Sequence, residues 1–127
     1  MKPYETLTVC GSEYHLKITT ANAVKLEEDI KTDLLSGLEK LTEVKTLAKY
    51  YYAAASSLND SIGSLEDVYQ LFDDYITEGG ELDALQKLMI EVLLVSGILS
   101  RETYDMQKKL TEKQKAALLK MQDKLLQ

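Results

Sequence analysis

Two groups of carboxylates are the densest polar chemistry in the chain: Glu27, Glu28 and Asp29, then Asp73, Asp74 and Glu78. Paired carboxylates work as acid and base when their environments separate their pKa values, or they hold a hard cation. Neither group has the spaced oxygen ligands and turn glycine of a calcium loop. Both fall opposite the apolar stripe of a helical pattern, so they read as solvated acidic faces. His15 is the single histidine and Cys10 the single cysteine. That excludes an internal disulfide and a thiolate zinc site built within one chain, and leaves His15 as a solvated strand residue. With no Ser, His and Asp arrangement, no glycine-rich phosphate loop and no metal-ligand spacing, no catalytic residue, cofactor or metal is expected. The chain reads as a protein that binds other proteins, not as an enzyme.

The residues suited to that work are apolar and aromatic. Tyr50, Tyr51 and Tyr52 stand in succession inside a helical pattern, and neighbouring helix residues point about 100° apart. All three rings cannot face inward. Tyr51 is expected in the core, with Tyr50 and Tyr52 covering its rim or forming an aromatic contact patch. The second candidate is the stretch 81–99, ELDALQKLMIEVLLVSGIL. Leu82, Leu85, Met89 and Val92 recur at three- and four-residue steps, the spacing of one helix face. From Leu88 onward, Ile90, Leu93, Leu94, Ile98 and Leu99 fill the other faces, and a helix apolar all round needs a core around it or a partner over it. The rest of the chain therefore looks arranged to cover this stretch. Lys87 and Glu91 leave one strip for water. Their charges, and an uninterrupted apolar run shorter than the roughly 18–20 residues a bilayer demands, exclude a membrane span. Gly97 fits a helix end or a close helix contact.

The elements that must position these residues follow from periodicity. ETLTV and EYHLKI alternate in character around Cys10, Gly11 and Ser12 and read as a β-hairpin with Leu7, Val9, Tyr14, Leu16 and Ile18 on one face. A lone hairpin is barely stable in water, so that face should lie on helices, or its edge should pair with another chain. Thr19 or Thr20 caps a helix over 21–30 that includes Ala23, Val24 and Leu26. A second short helical run, DLLSGLEKL, follows at 33–41. Thr42 opens a third helix, with Val44, Leu47 or Ala48, Tyr51, Ala54 or Ala55 and Leu58 on its inner side. After a loop at 59–63, Ser64 caps a helix with Leu65, Val68, Leu71 or Phe72 and Tyr75 or Ile76 inward. Glu66 and Asp67 sit at its positive end, and Gly79 and Gly80 close it. Beyond Ser100, RETYDMQKKLTEKQKAALLKMQDKLLQ has high helix propensity and one stripe of Leu110, Ala117, Leu118, Met121 and Leu125. The expected fold is thus mostly α, in the α+β class. A hairpin precedes a bundle of about five or six helices, with 1–100 as the domain and 101–127 as a basic amphipathic helical extension.

Size and charge agree with this. The chain has 127 residues, 45% hydrophobic and 28% charged, which suits one globular domain. Its formal charge of −6 argues against nucleic acid as the main partner. Residues 1–100 carry 8 Lys or Arg and 17 Asp or Glu, a net −9, whereas residues 101–127 carry 7 and 4, a net +3. An acidic body and a basic extension are complementary, so docking in cis or onto a neighbouring body is expected. Self-association through the hairpin edge or the tail helix makes a homo-oligomer the expected state. A reducing cytoplasm is the simplest home for a chain with one cysteine. The N-terminal MKPYETLTVCGSEYHLK lacks the basic start and apolar core of a secretion signal.

The opening YETLTVCGSEYHLKITTANAVKLEEDI and the segment SLEDVYQLFDDYITEGGELDALQKLMIEVLLVSGIL together resemble the tail assembly chaperones of long-tailed phages and prophages of Gram-positive bacteria. The resemblance covers about residues 4–99 and rests on the strand pair leading into TTANAVKLE, on LEDVYQLFDDYITEGG, and on the VSGIL ending. It implies a mostly helical, cofactor-free protein of the host bacterial cytoplasm that associates with the tape measure protein and the tail tube protein during tail assembly. It also implies a short and a frameshift-extended form, of which this chain would be the short one. Apolar helix faces would cover the tape measure protein until tube subunits replace them. The expected contacts are Tyr50, Tyr52, Leu94, Ile98 and Leu99. A small helical adaptor or regulatory protein that binds one folded partner is the other reading.

Overall fold

In a computed structural model of the chain, residues 3–100 and residue 102 are described. Apart from Glu102, the basic helix expected over 101–127 lies outside these residues. Strands β1 (Glu5–Val9) and β2 (Ser12–Leu16) pair antiparallel, with Leu7 opposite Tyr14 and Val9 opposite Ser12. Cys10 and Gly11 between them have φ of 50° and 81°. Two successive positive values make a two-residue turn of the mirror-image type, whose twist matches that of the flanking strands. The expected apolar face forms: Leu7, Val9, Leu16 and Ile18 are buried.

Helix α1 (Thr20–Ile30) starts where the Thr19 hydroxyl accepts from the Asn22 N–H at 3.3 Å. Its stripe is thin, since Leu26 alone is buried and Val24 faces water. The next helical run shortens to a 3-10 turn (Ser36–Lys40), with the Asp33 carboxylate accepting from the Ser36 N–H at 3.0 Å. Nine residues with a glycine in the middle cannot offset the cost of starting an α-helix, so the tighter turn prevails. Helices α2 (Val44–Ala55), α3 (Leu65–Thr77) and α4 (Leu82–Val95) complete the described part. Four α-helices and one 3-10 turn therefore stand, among the described residues, where five or six helices were expected.

Helix ends explain the path of the chain. Ser64 and Asp67 form a reciprocal cap on α3, each side chain accepting from the other's backbone N–H. At the far end Gly79 has φ of 100°, with Gly79 N–H bonded to Ile76 O at 3.0 Å and Gly80 N–H to Tyr75 O at 2.9 Å. The same double closure ends α4, where Gly97 (φ 78°) donates to Leu94 O at 3.2 Å and Ile98 donates to Leu93 O at 3.1 Å. Both are Schellman motifs, which satisfy the last carbonyls and turn the chain sharply. Gly97 is thus a helix end.

The centre of the domain is α2, not the 81–99 stretch. It packs against α1, α3, α4 and β2, while α3 and α4 also meet β1. Eight of its twelve residues are buried, against four of fourteen in α4. Alanines 53–55 let neighbours approach closely, and the carbonyls left over at the end of α2 are used by them. Asn22 Nδ2 donates to Ala53 O at 3.0 Å, Lys17 N–H to Ala54 O at 3.0 Å, and Asn59 Nδ2 to Ala55 O at 2.9 Å. Val44 and Leu58, expected on the inner side of this helix, are exposed because they lie at its first turn and beyond its last. Among the described residues, no helix is long and apolar enough to cross a membrane.

Candidate partner-binding surface

The tyrosine run divides more sharply than periodicity implies. Tyr50 and Tyr51 are both fully buried, and Tyr52 is half-buried. A buried hydroxyl needs a partner. Tyr50 finds it in Leu34 O at 2.7 Å and Tyr51 in Leu85 O at 2.6 Å. Tyr50 can reach because Gly37 has no Cβ; one placed there would collide with the Tyr50 hydroxyl and come within 2.9 Å of Ile30 Cδ1. Tyr51 stands edge-on to Phe72, ring centroids 5.3 Å apart, and so ties α2 to α3 and to α4 at once. Burial, first, and then nearby carboxylates push the Tyr50 hydroxyl's pKa up; burial does the same to Tyr51, aided by Tyr75.

Tyr50, expected as a rim or contact residue, is therefore core. So is Leu99, 1% exposed after the turn that ends α4. Neither offers a partner any surface in the single chain. Tyr52, Leu94 and Ile98 are half-buried and pack against the edge of the core.

Around α4 the inner side is Leu85, Met89, Val92 and Leu93. At about 100° per residue, Leu88 and Val95 fall on one flank of that stripe and Ile90 on the other, with Leu94 further round on that side, beside Lys87. All four are half-buried. Between the flanks Lys87 is exposed and pairs with Asp83 at 3.1 Å, so it takes the role in the watered strip that Glu91, half-buried, shares only in part.

A second apolar edge was not anticipated. On α3, Tyr69 is 43% and Ile76 is 46% exposed. They stand seven residues apart, on one line with half-buried Leu65 and beside buried Phe72, about 10 Å from each other along the axis. The pattern 65, 69, 72, 76 was visible as apolar periodicity. Which member of each pair would face inward was not, because Leu71 and Phe72 both enter the core and turn the stripe away from Ile76.

Polar groups along α3 are engaged in local bonds. Gln70 donates to Asp74 at 2.9 Å, and the Glu78 carboxylate accepts from the Cys10 N–H at 2.9 Å, closing the hairpin turn onto the end of α3. Local desolvation and then the Glu78 carboxylate hold the Cys10 thiol above its usual range, which disfavours the nucleophilic thiolate. His15 stacks on Tyr4 with ring centroids 4.1 Å apart. Among the described residues, no group of three His, Cys, Asp or Glu side chains is placed to hold a metal ion. Compared with known proteins, the chain matches no family model, no curated protein and no solved structure.

Proposed function

We propose that this protein is a tail assembly chaperone of long-tailed phages or prophages, acting in the host bacterial cytoplasm by covering apolar helical stretches of a tape measure protein until tail tube protein takes their place. The observation that carries the reading is the half-covered apolar surface of α4 and the turn that ends it, Leu88, Ile90, Leu94 and Val95 with Ile98, on an otherwise acidic body. A helix that leaves such flanks only partly covered suits a groove-and-helix contact, in which anchors spaced three and four residues apart engage another helix. The exposed line of Tyr69 and Ile76 adds a second strip of the same character. The negative charge of the body keeps a complex with an apolar partner soluble. Nothing in the reading needs a cofactor or a reaction, since covering and release are binding equilibria.

Co-expression with a tape measure protein, to be sought among the genes beside this one, tests it. The tape measure protein should stay soluble and co-purify, with several copies of the chaperone along its length. A tape measure protein that precipitates regardless removes the reading, and a one-to-one complex with some folded protein replaces it with the adaptor reading.

A further inference from the structure

The hairpin has two edges, and they are treated differently. A two-residue turn makes Val9 and Ser12 a hydrogen-bonded pair, and alternation along an antiparallel ladder makes Leu7–Tyr14 and Glu5–Leu16 hydrogen-bonded pairs too. The backbone groups of Glu13 and His15 on β2, and of Thr6 and Thr8 on β1, therefore point outward. On β2 the edge is closed. Asn59 accepts from the His15 N–H at 3.0 Å and donates to the His15 carbonyl at 2.7 Å, so one side-chain amide replaces a neighbouring strand. Lys17 N–H continues the closure onto Ala54 O at 3.0 Å. Among the described residues only Glu13, next to the turn, is left open there.

On β1 the Glu78 carboxylate occupies the Cys10 N–H beyond the strand. Among the described residues nothing pairs with the outward N–H and C=O groups of Thr6 and Thr8, and both residues are exposed. Residues 5–9 contain no Pro, no Lys and no bulge to blunt the edge, and their one charge, Glu5, stands at the start of the strand, away from Thr8.

We propose that β1 pairs with β1 of a second copy, antiparallel and centred on Leu7, to make a four-stranded sheet across a two-fold axis. The register follows from the open positions. With Leu7 opposite Leu7 of the second copy, Thr6 meets Thr8 and Thr8 meets Thr6, so every outward group of the two residues is used. The threonine pairs lie on the exposed face, where opposed β-branched side chains favour pairing. Glu5 falls opposite Val9, so no like charges face each other across the axis. Because β2 is closed by Asn59, the sheet has one edge to offer, and self-pairing through it ends at two copies instead of growing into a fibre. The dimer would turn each binding strip into a pair, which strengthens attachment to a long repetitive partner. It stands, however, whether or not that partner is a tape measure protein.

The test is the mass of the full chain in sedimentation velocity, for wild type and two double variants at solvent-facing positions. Wild type should sediment as a dimer. Thr6→Lys with Thr8→Lys opposes like charges in this register and should halve the apparent mass, whereas Thr6→Lys with Thr8→Glu opposes unlike charges and should keep the dimer. A monomeric wild type, a double lysine variant of unchanged mass, or equal loss in both variants overturns the proposal. Amide hydrogen exchange on the unmodified chain decides the case even if a variant does not fold: the Thr6 and Thr8 amides should be protected when concentrated and lose protection on dilution. Equal exchange at both concentrations overturns the pairing.

Discussion

Helices α2 and α4 are both largely apolar and are buried to very different degrees. In α2 even the hydroxyls of Tyr50 and Tyr51 are enclosed, each bonded to a carbonyl of another segment. In α4, the more continuously apolar of the two, four residues face the core and the flanks are left partly in water. Hydrophobicity along a helix therefore does not rank its burial. What ranks it is how many neighbours can reach it, and small residues at 53–55 admit neighbours that the bulky side chains of α4 keep at a distance.

Breaking the enclosed helix should have the largest effect. Tyr51→Ala removes the ring that touches Phe72 and the hydroxyl that holds Leu85 O, and should destabilise the domain by about 3–5 kcal/mol in urea unfolding. That is a large share of the roughly 5–15 kcal/mol available to a domain. A loss under about 1 kcal/mol would mean that α2 is not the centre of the core.

An intermediate effect should appear at high pH. Both buried tyrosines hold their protons above the ordinary tyrosine range, so between the unfolded and folded values the native state binds more protons than the unfolded state. Their contribution to stability is fully present below about pH 10 and is lost as pH rises beyond it. Tyr50→Phe should cost about 1 kcal/mol at neutral pH through the bond to Leu34 O, and should make the alkaline decline shallower. Parallel pH profiles for variant and wild type would show that Tyr50 is not the group responsible.

The smallest effect on stability belongs to the flank of α4. Leu94→Asp should cost only about 0.5 kcal/mol and, on the proposed chaperone reading, abolish retention of the tape measure protein. Its neighbour Leu93, 100° round the helix and fully buried, supplies the contrast: Leu93→Asp would place a charge in the core. If Leu94→Asp unfolds the domain as its neighbour should, the flank is core and the distinction between the two helices fails.

Much of the local structure was legible. The hairpin face, the caps at Thr19 and Ser64 and the glycine end of α3 follow from alternation, a hydroxyl before an apolar run, and a residue able to take positive φ. Each depends on residues close in sequence. The role of Asn59 was not legible, since it sat in a loop and acquires meaning only when its amide meets His15, forty-four positions away. Nor was the burial of Tyr50, which depends on the missing Cβ of Gly37 and on a carbonyl at Leu34. The tail helix drawn over 101–127 lies outside the described residues and stays an expectation.

Sequence alone determined that the chain forms a small hairpin and short helices, where α1 and α3 begin and end, and that one helix would be apolar on nearly every side. These are consequences of periodicity and of backbone preferences within a few residues. Only the tertiary structure decided which helix sits at the centre, which tyrosines are core, and which apolar residues of α3 and α4 keep a surface. The reason is physical: local pattern sets which way a side chain points along its own element, but burial depends on what arrives from elsewhere in the chain to cover it.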